Sequence, residues 1–469
     1  MESPLSQDKT IQRLLSAVKD FFNMNISSSL ETLTALQSEI DPKLYASGTK
    51  KHILFGKSPS LDSSARSTRK RSASNPPTGK LSLLSNARVS LHIAEVHTIQ
   101  ALISEEKTQL EKALEEITLV EKMSSEAISF LSKLCVSKKS TAIESEMQKH
   151  ARIACRDAEV CHAFALLWRA CIQFRTGSFL KGAYNLRSSW KGFEALLSTE
   201  VFCAEYKEKD QLMSKFLETF IKSDVLFGAG AFRFLVSLVP PAFQTILEVI
   251  GFEGDRERGR RNLIESFESE GNKSHLALLI SIWIESAFYE NRTVAEEMIQ
   301  TALKLYPTGS LFLFLGGYLW RKEGKLDKAF ESFQRAKESS VEFETLQLIC
   351  TYELGWCHYM KNDFESASTL LQTFVERFQS PSFRAFAAFQ LGYAYDQLNE
   401  IDKAKEAMSR VSPWVRANFT WDQYADRKAL EYLKNPGLSK FNRLLVCLFL
   451  STKRLTFTDR FKETMLWKR

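Results

Sequence analysis

Along most of the chain, apolar side chains recur at three- and four-residue spacing with polar and charged ones between them, the period of helices that bury one face. Ile11 to Asp41 reads as a helix pair, with Asn25 at the turn and Pro42 closing it. Leu91 to Lys122 reads as an amphipathic pair interrupted near Ser104. Ala158 to Leu197 reads as a third pair that turns at Thr176-Gly177, with Gly182 where a close approach is expected. No segment alternates polar and apolar positions as a half-buried strand does, so the pattern predicts an all-α chain.

Later in the sequence the pattern repeats itself. LGGYLWRKEGKLDKAFESFQRA places Gly317, Trp320, Gly324, Ala329, Phe333 and Ala336 at offsets that match positions 8, 11, 15, 20, 24 and 27 of a tetratricopeptide repeat. A second copy gives Gly355, His358, Asn362, Ala367, Leu371 and Phe374, and a third gives Gly392, Tyr395, Asn399, Ala404, Met408 and Val411. A weaker copy precedes them with Ala295, Ile299, Ala302 and Pro307. The equivalent alanines Ala295, Ala329, Ala367 and Ala404 are 34, 38 and 37 residues apart. Small residues at positions 8 and 20 let two antiparallel helices approach, and the large ones at 11 and 24 fill the space between them. Stacked hairpins then form a superhelix with a concave surface, so the fold class expected is a helical-hairpin α-solenoid.

Positions 2, 5, 9 and 12 of each first helix face the concave side. Here they are Leu311, Phe314, Tyr318 and Arg321, then Ile349, Tyr352, Trp356 and Tyr359, then Phe386, Phe389, Tyr393 and Asp396. Phe314, Tyr318, Tyr352, Trp356, Tyr359, Phe389 and Tyr393 are therefore the candidate groove residues. A clamp for a carboxylate tail needs Lys, Asn and Arg at positions 2, 5, 6 and 9, and Glu353 and Gln390 at position 6 argue against it. An aromatic lining suits either a hydrophobic peptide or lipid-like ligand, or filling from within by the N-terminal half or its 225–250 segment. The second is preferred, because an open aromatic groove invites aggregation.

That segment stands apart. Between Val225 and Ile250 the only charges are Arg233 and Glu248, yet Arg233 and Pro240-Pro241 argue against one spanning helix. Two short buried helices joined at the prolines are expected, with lipid contact as the alternative.

Composition changes the picture mainly through charge. The 469 residues carry a formal net charge of +7, and the eight bases and one acid between Ser47 and Lys80 account for all of it, leaving no basic nucleic-acid face elsewhere. That stretch is also Ser-rich and poor in apolar residues, so a disordered linker is expected. Within it, Ser72 and Ser74 each follow an Arg by three residues, the spacing read by basic-directed kinases, and the run Arg69-Lys70-Arg71 suits nuclear import. Eight scattered cysteines and the polar start MESPLSQDKT suit a reducing, intracellular compartment.

No phosphate-binding loop, His-Glu-x-x-His, Gly-x-Ser-x-Gly or Cys-x-x-Cys motif occurs, so neither an enzyme nor a cofactor or metal is expected. Cys155, Cys161, His162 and Cys171 read as buried helical residues, and His358 as a packed substitute for an aromatic.

SFLKGAYNLRSSWKGFE at 178–194, the GAGAFRFLVSLVPP and GFEGDRERG blocks at 228–259, the repeats and DRKALEYL at 426–433 together make the chain similar to the tetratricopeptide repeat protein 39 family, which includes the fungal inclusion body clearance protein. The resemblance implies a non-enzymatic cytoplasmic scaffold that binds other proteins, linked to lipid or sterol homeostasis and inclusion-body clearance. It also implies, as alternatives, a peripheral lipid-droplet or membrane-surface protein, or an adaptor in cilium assembly. Relatives usually continue with further repeats beyond the equivalent of Leu433, whereas this sequence ends differently, so the expectation from the resemblance is a C-terminal region truncated relative to the family, without its cap and part of any groove. The expected organisation is a hairpin at 1–46, a linker at 47–82, a helical region at 83–270, repeats at 271–411 and a C-terminal helical region at 412–469.

Overall fold

The computed structural model describes residues 4–40, 85–135, 142–199, 202, 210–237, 255–289, 291–380, 383–416 and 419–436. The linker with Ser72 and Ser74, Pro240-Pro241 with its flanks, and residues 437–469 lie outside the described residues. Among the described residues every regular element is helical.

The chain opens with α1 (Pro4–Phe22) and α2 (Ile26–Ile40), then α3 (Asn86–Ser104), α4 (Lys107–Cys135), α5 (Ala142–Arg175) and α6 (Phe179–Leu197). Next come α7 (Gln211–Phe216), a π turn at Leu217–Lys222, α8 (Ser223–Ser237), α9 (Arg256–Glu268) and α10 (Ser274–Ile284). The repeats follow as α11 (Arg292–Leu305), α12 (Ser310–Lys322) with α13 (Leu326–Ser339), α14 (Glu344–Met360) with α15 (Phe364–Arg377), and α16 (Arg384–Gln397) with α17 (Ile401–Ser409). Helix α18 (Thr420–Lys434) packs on α16 and α17.

One backbone joint recurs. After α12, α14 and α16 the chain turns through Gly324, Asn362 and Asn399, all at positive φ, and the next amide bonds back to the carbonyl five residues earlier. Lys325 bonds to Trp320, Asp363 to His358 and Glu400 to Tyr395, a Schellman closure that satisfies carbonyls at the helix end. Five residues past each joint sits a fully buried alanine: Ala329, Ala367 or Ala404. Two hairpins of the N-terminal half follow the same rule. Gly177 joins α5 to α6 through Ser178 to Gln173 and is followed by buried Gly182, while Met24 joins α1 to α2 through Asn25 to Asp20 and is followed by buried Ser29.

The close approaches assigned from sequence are real. A Cβ on Gly317 would meet the Phe333 ring at 2.8 Å, one on Gly392 would meet Met408 at 2.8 Å, and one on Gly182 would meet Phe174 at 2.8 Å. In each case a small residue on one helix accepts a large one from its partner.

The expected amphipathic pair over 91–122 needs correction. α3 is buried all round, with Arg88, Leu91, His92, Glu95, Val96 and Thr98 all inside. It is enclosed by α1, α2, α4, α5 and α14, and a helix wrapped on every side needs no single apolar stripe. The first hairpin closes the assembly: Phe22 packs on His275, Tyr306 and Phe312, Thr308 donates to the Asn23 carbonyl at 3.0 Å, and the Ser27 amide donates to Glu342 at 2.6 Å. Hairpins here touch more than their sequence neighbours.

Residues 225–237 form the buried part of α8, which packs chiefly on α9 and α6. This explains the Gly-rich block. A Cβ on Gly228 would enter the Phe193 ring at 2.3 Å, and Gly230 and Gly259 cross so closely that a Cβ on either meets the other's carbonyl oxygen at 2.9 Å. Asp255 caps α9 by accepting from the Arg258 amide at 2.8 Å, and Arg233 lies over the Trp190 ring at 5.0 Å. Gly259→Ala is expected to destabilise the protein by about 1–3 kcal/mol, because its Cβ also meets the Phe234 backbone nitrogen at 2.8 Å and two helices must separate. Chemical denaturation checks this, and a variant as stable as the parent contradicts the crossing.

Candidate functional site

The aromatic concave positions are brought together, and they are buried. Tyr352 is 0% and Trp356 2% exposed, Tyr318, Tyr359, Phe389 and Tyr393 are also buried, and Phe314 is partly buried. Neighbouring first helices pack ring on ring, with Trp356 meeting Phe386 at 5.7 Å and Tyr359 meeting Tyr393 at 5.6 Å, and within the second hairpin Tyr352 meets Phe374 of α15 at 5.0 Å. From the N-terminal half, Ile103 at the end of α3 reaches this cluster. The described residues 225–237 pack chiefly elsewhere, whereas α3, another part of the N-terminal half, contributes Ile103; the rest of the 225–250 segment lies outside the described residues.

The two position-6 residues that argued against a carboxylate clamp have internal tasks. Glu353 pairs with Arg321 at 3.0 Å, and Arg321 lies over the Trp356 ring at 4.6 Å and the Tyr318 ring at 5.3 Å. Burial works against the guanidinium charge, and Glu353 with the surrounding groups outweighs it, so the Arg321 pKa rises. Gln390 accepts from the Tyr352 hydroxyl at 3.0 Å. Tyr432 of α18 donates to Asp396 at 2.9 Å, tying the last described helix to the third repeat.

A second constellation went unforeseen. Around α3, Arg88 donates through Nε to Asp157 at 3.0 Å and through Nη1 to Asp224, and Asn272 donates to Asp224 at 3.1 Å. Ser85, which caps α3, donates to Asp157 at 3.1 Å. Two turns along α3 from Arg88, Glu95 accepts from Lys273 at 2.6 Å and from Trp168 at 3.0 Å, and His92 lies 3.0 Å from the same carboxylate. All of these charged groups are buried. Burial pushes the Asp157 carboxyl up despite Arg88. It also presses on Glu95, but the Lys273 ammonium and His92 hold that carboxyl well below its usual range. The only sequence signal for this network was a set of charges, Arg88, Glu95, Asp157 and Asp224, at core-facing positions, which becomes informative only once the partners are known.

The two histidines there set a pH dependence. Burial, with Lys273 nearby, pushes His275 down to about 3 and lowers His92 as well. Both stay neutral in the fold, whereas in the unfolded chain they take up protons near the ordinary value of about 6.5. The stability from these neutral imidazoles is therefore complete above about pH 6.5 and lost progressively as pH falls toward about 3. The unfolding free energy should fall across that window, and His275→Phe should flatten the slope; a profile unchanged by that substitution contradicts the assignment.

Among the described residues no three His, Cys, Asp or Glu side chains converge to hold a metal ion. Burial raises the thiols of Cys155 to about 11 and Cys171 to about 12, and raises Cys161 as well, which keeps them protonated. His162 lies 3.3 Å from Ser124 Oγ, and His358 bonds to Asp363 at 2.8 Å while packing edge-on against Phe330. No described helix is long and apolar enough to cross a membrane.

Solved structures similar to this chain are helical-repeat proteins at low identity. Yeast Tom70 is 11% identical over 94% of this chain and 99% of its own, with a TM-score of 0.38. The human IFIT1 dimer with PPP-AAAA is 13% identical over 80% of this chain and 79% of its own, also at 0.38. Comparison with protein families matches residues 80–447, which span the repeats, the Gly230–Gly259 crossing and the buried network around α3. The chain belongs to the Iml2/Tetratricopeptide repeat protein 39 family.

Proposed function

We propose that this chain is a non-enzymatic scaffold that binds protein partners through the outer faces of its hairpins, in the service of lipid or sterol homeostasis and the clearance of protein inclusions. The observation that carries the scaffold reading is the recurring joint: five hairpins share one Schellman closure with a buried small residue five positions on, and four of them a glycine approach, a regularity of shape. The aromatic positions of the first helices hold the stack together, which leaves the charged second helices α13, α15 and α17 to face partners. The cellular process is taken from the family resemblance. Cross-linking of the full chain in its native cell, followed by mass spectrometry, tests the reading: partner links are expected at exposed Lys328, Lys403 and Lys405. Absence of any protein linked to these helices counts against it. Inclusion persistence and sterol levels after deletion of the gene test the process separately.

A further inference from the structure

Most large apolar side chains exposed among the described residues stand singly, but three share the first turns of α6: Phe179, Leu180 at 90% and Tyr184 at 71% exposed. The same helix carries exposed Lys181, Arg187 and Lys191, and none of these faces a carboxylate within ion-pair distance among the described residues. On α5, by contrast, Arg156, Arg169 and Arg175 face Glu159, Glu121 and Glu105. Among the described residues, Glu194 lies a turn beyond Lys191, and Glu105 and Glu106, at the turn that Arg175 reaches, are held by Arg175 and Gln109.

We propose that the exposed face of α6 docks this protein on an anionic lipid surface. At 1.5 Å per residue, Tyr184 lies about 6 Å, Arg187 about 10 Å and Lys191 about 16 Å along the axis from Leu180. Lys181 stands beside Leu180 at the tip, and Tyr184, Arg187 and Lys191 follow, so apolar and cationic side chains share one end of the helix, where an apolar face can sink about 5–10 Å while cations meet the headgroups. The patch lies just past the Gly177 joint of its hairpin, and a deformable bilayer accepts exposed side chains there without a matching pocket. The apolar residues 225–237 are buried and do not compete for this role.

Sedimentation of the full chain with phosphatidylcholine vesicles containing phosphatidylserine, against phosphatidylcholine alone, tests it. Binding is expected to the anionic vesicles and to weaken with salt. At about fivefold per surface cation, Lys181→Glu, Arg187→Glu and Lys191→Glu together should reduce it about a hundredfold or more. Leu180→Glu with Tyr184→Glu should also abolish it, with melting unchanged because these positions are exposed. A polarity-sensitive dye on Leu180→Cys should report an apolar environment on the vesicles, which separates docking from a folding defect. Variants that bind like the parent would assign attachment to another basic segment and overturn the proposal. So would a dye that stays in water, no vesicle binding at all, or capture of an acidic protein by α6 in its place.

Discussion

Replacing Arg88 by leucine is expected to lower the unfolding free energy by about 3–5 kcal/mol. The side chain is fully buried between Asp157 and Asp224, on α5 and α8, so its removal leaves two carboxylates in the interior without their cation. The loss should ease as pH falls, because burial already raises the Asp157 carboxyl and a protonated acid needs no partner. Combining Arg88→Leu with Asp157→Asn and Asp224→Asn should recover part of the stability, since the neutral amides carry no uncompensated charge. Denaturation followed by tryptophan fluorescence at pH 5 and pH 7.5 measures both effects. An Arg88→Leu variant that unfolds like the parent at both would show that the network does not hold α3 in place.

Trp356→Ala should cost about 3–5 kcal/mol, concentrated in α12 to α18. The indole is 2% exposed, carries the Arg321 guanidinium on one face and meets Tyr352 and Phe386. Its truncation opens a cavity where neighbouring first helices meet and leaves Arg321 with Glu353 as its main support. Tyr352→Phe is a milder companion, at about 1 kcal/mol for the hydroxyl bond to Gln390. Hydrogen exchange should show faster opening across α14 and α16 in Trp356→Ala and near-parent protection in α5 and α6, because the two regions belong to separate apolar clusters. Uniform loss of protection along the whole chain would mean that the clusters unfold together. A partner lost from Trp356→Ala therefore reports a loosened stack, and a partner site is better sought with exposed substitutions on α13, α15 and α17.

The repeats were legible because their packing rule is local. Gly317, Gly355 and Gly392 stand where a helix must approach, and the residue that fills the gap lies 16 positions later in each copy, so spacing alone carries the message. The earlier hairpins were fainter because Met24 takes the positive-φ joint that Gly or Asn occupies later, and Ser29 stands where the alanine would be. Burial of the concave aromatics was left open by spacing, since a ring facing a groove and a ring facing the next repeat occupy the same position. The environment of α3 could not be read at all. Its burial comes from α1, α2, α5 and α14, brought together from distant parts of the chain, and Lys273 reaches Glu95 across 178 residues.

The closure of the first hairpin against the repeats imposes an order on biosynthesis. Asn23 and Ser27 meet Thr308 and Glu342 across 285 and 315 residues. At about 5–20 residues per second, a ribosome needs roughly 15–60 s to supply those partners. Phe21 and Phe22 are made well before those partners and wait for their cover over that interval, so this hairpin is late to reach its native seat and is the natural client of a holding chaperone.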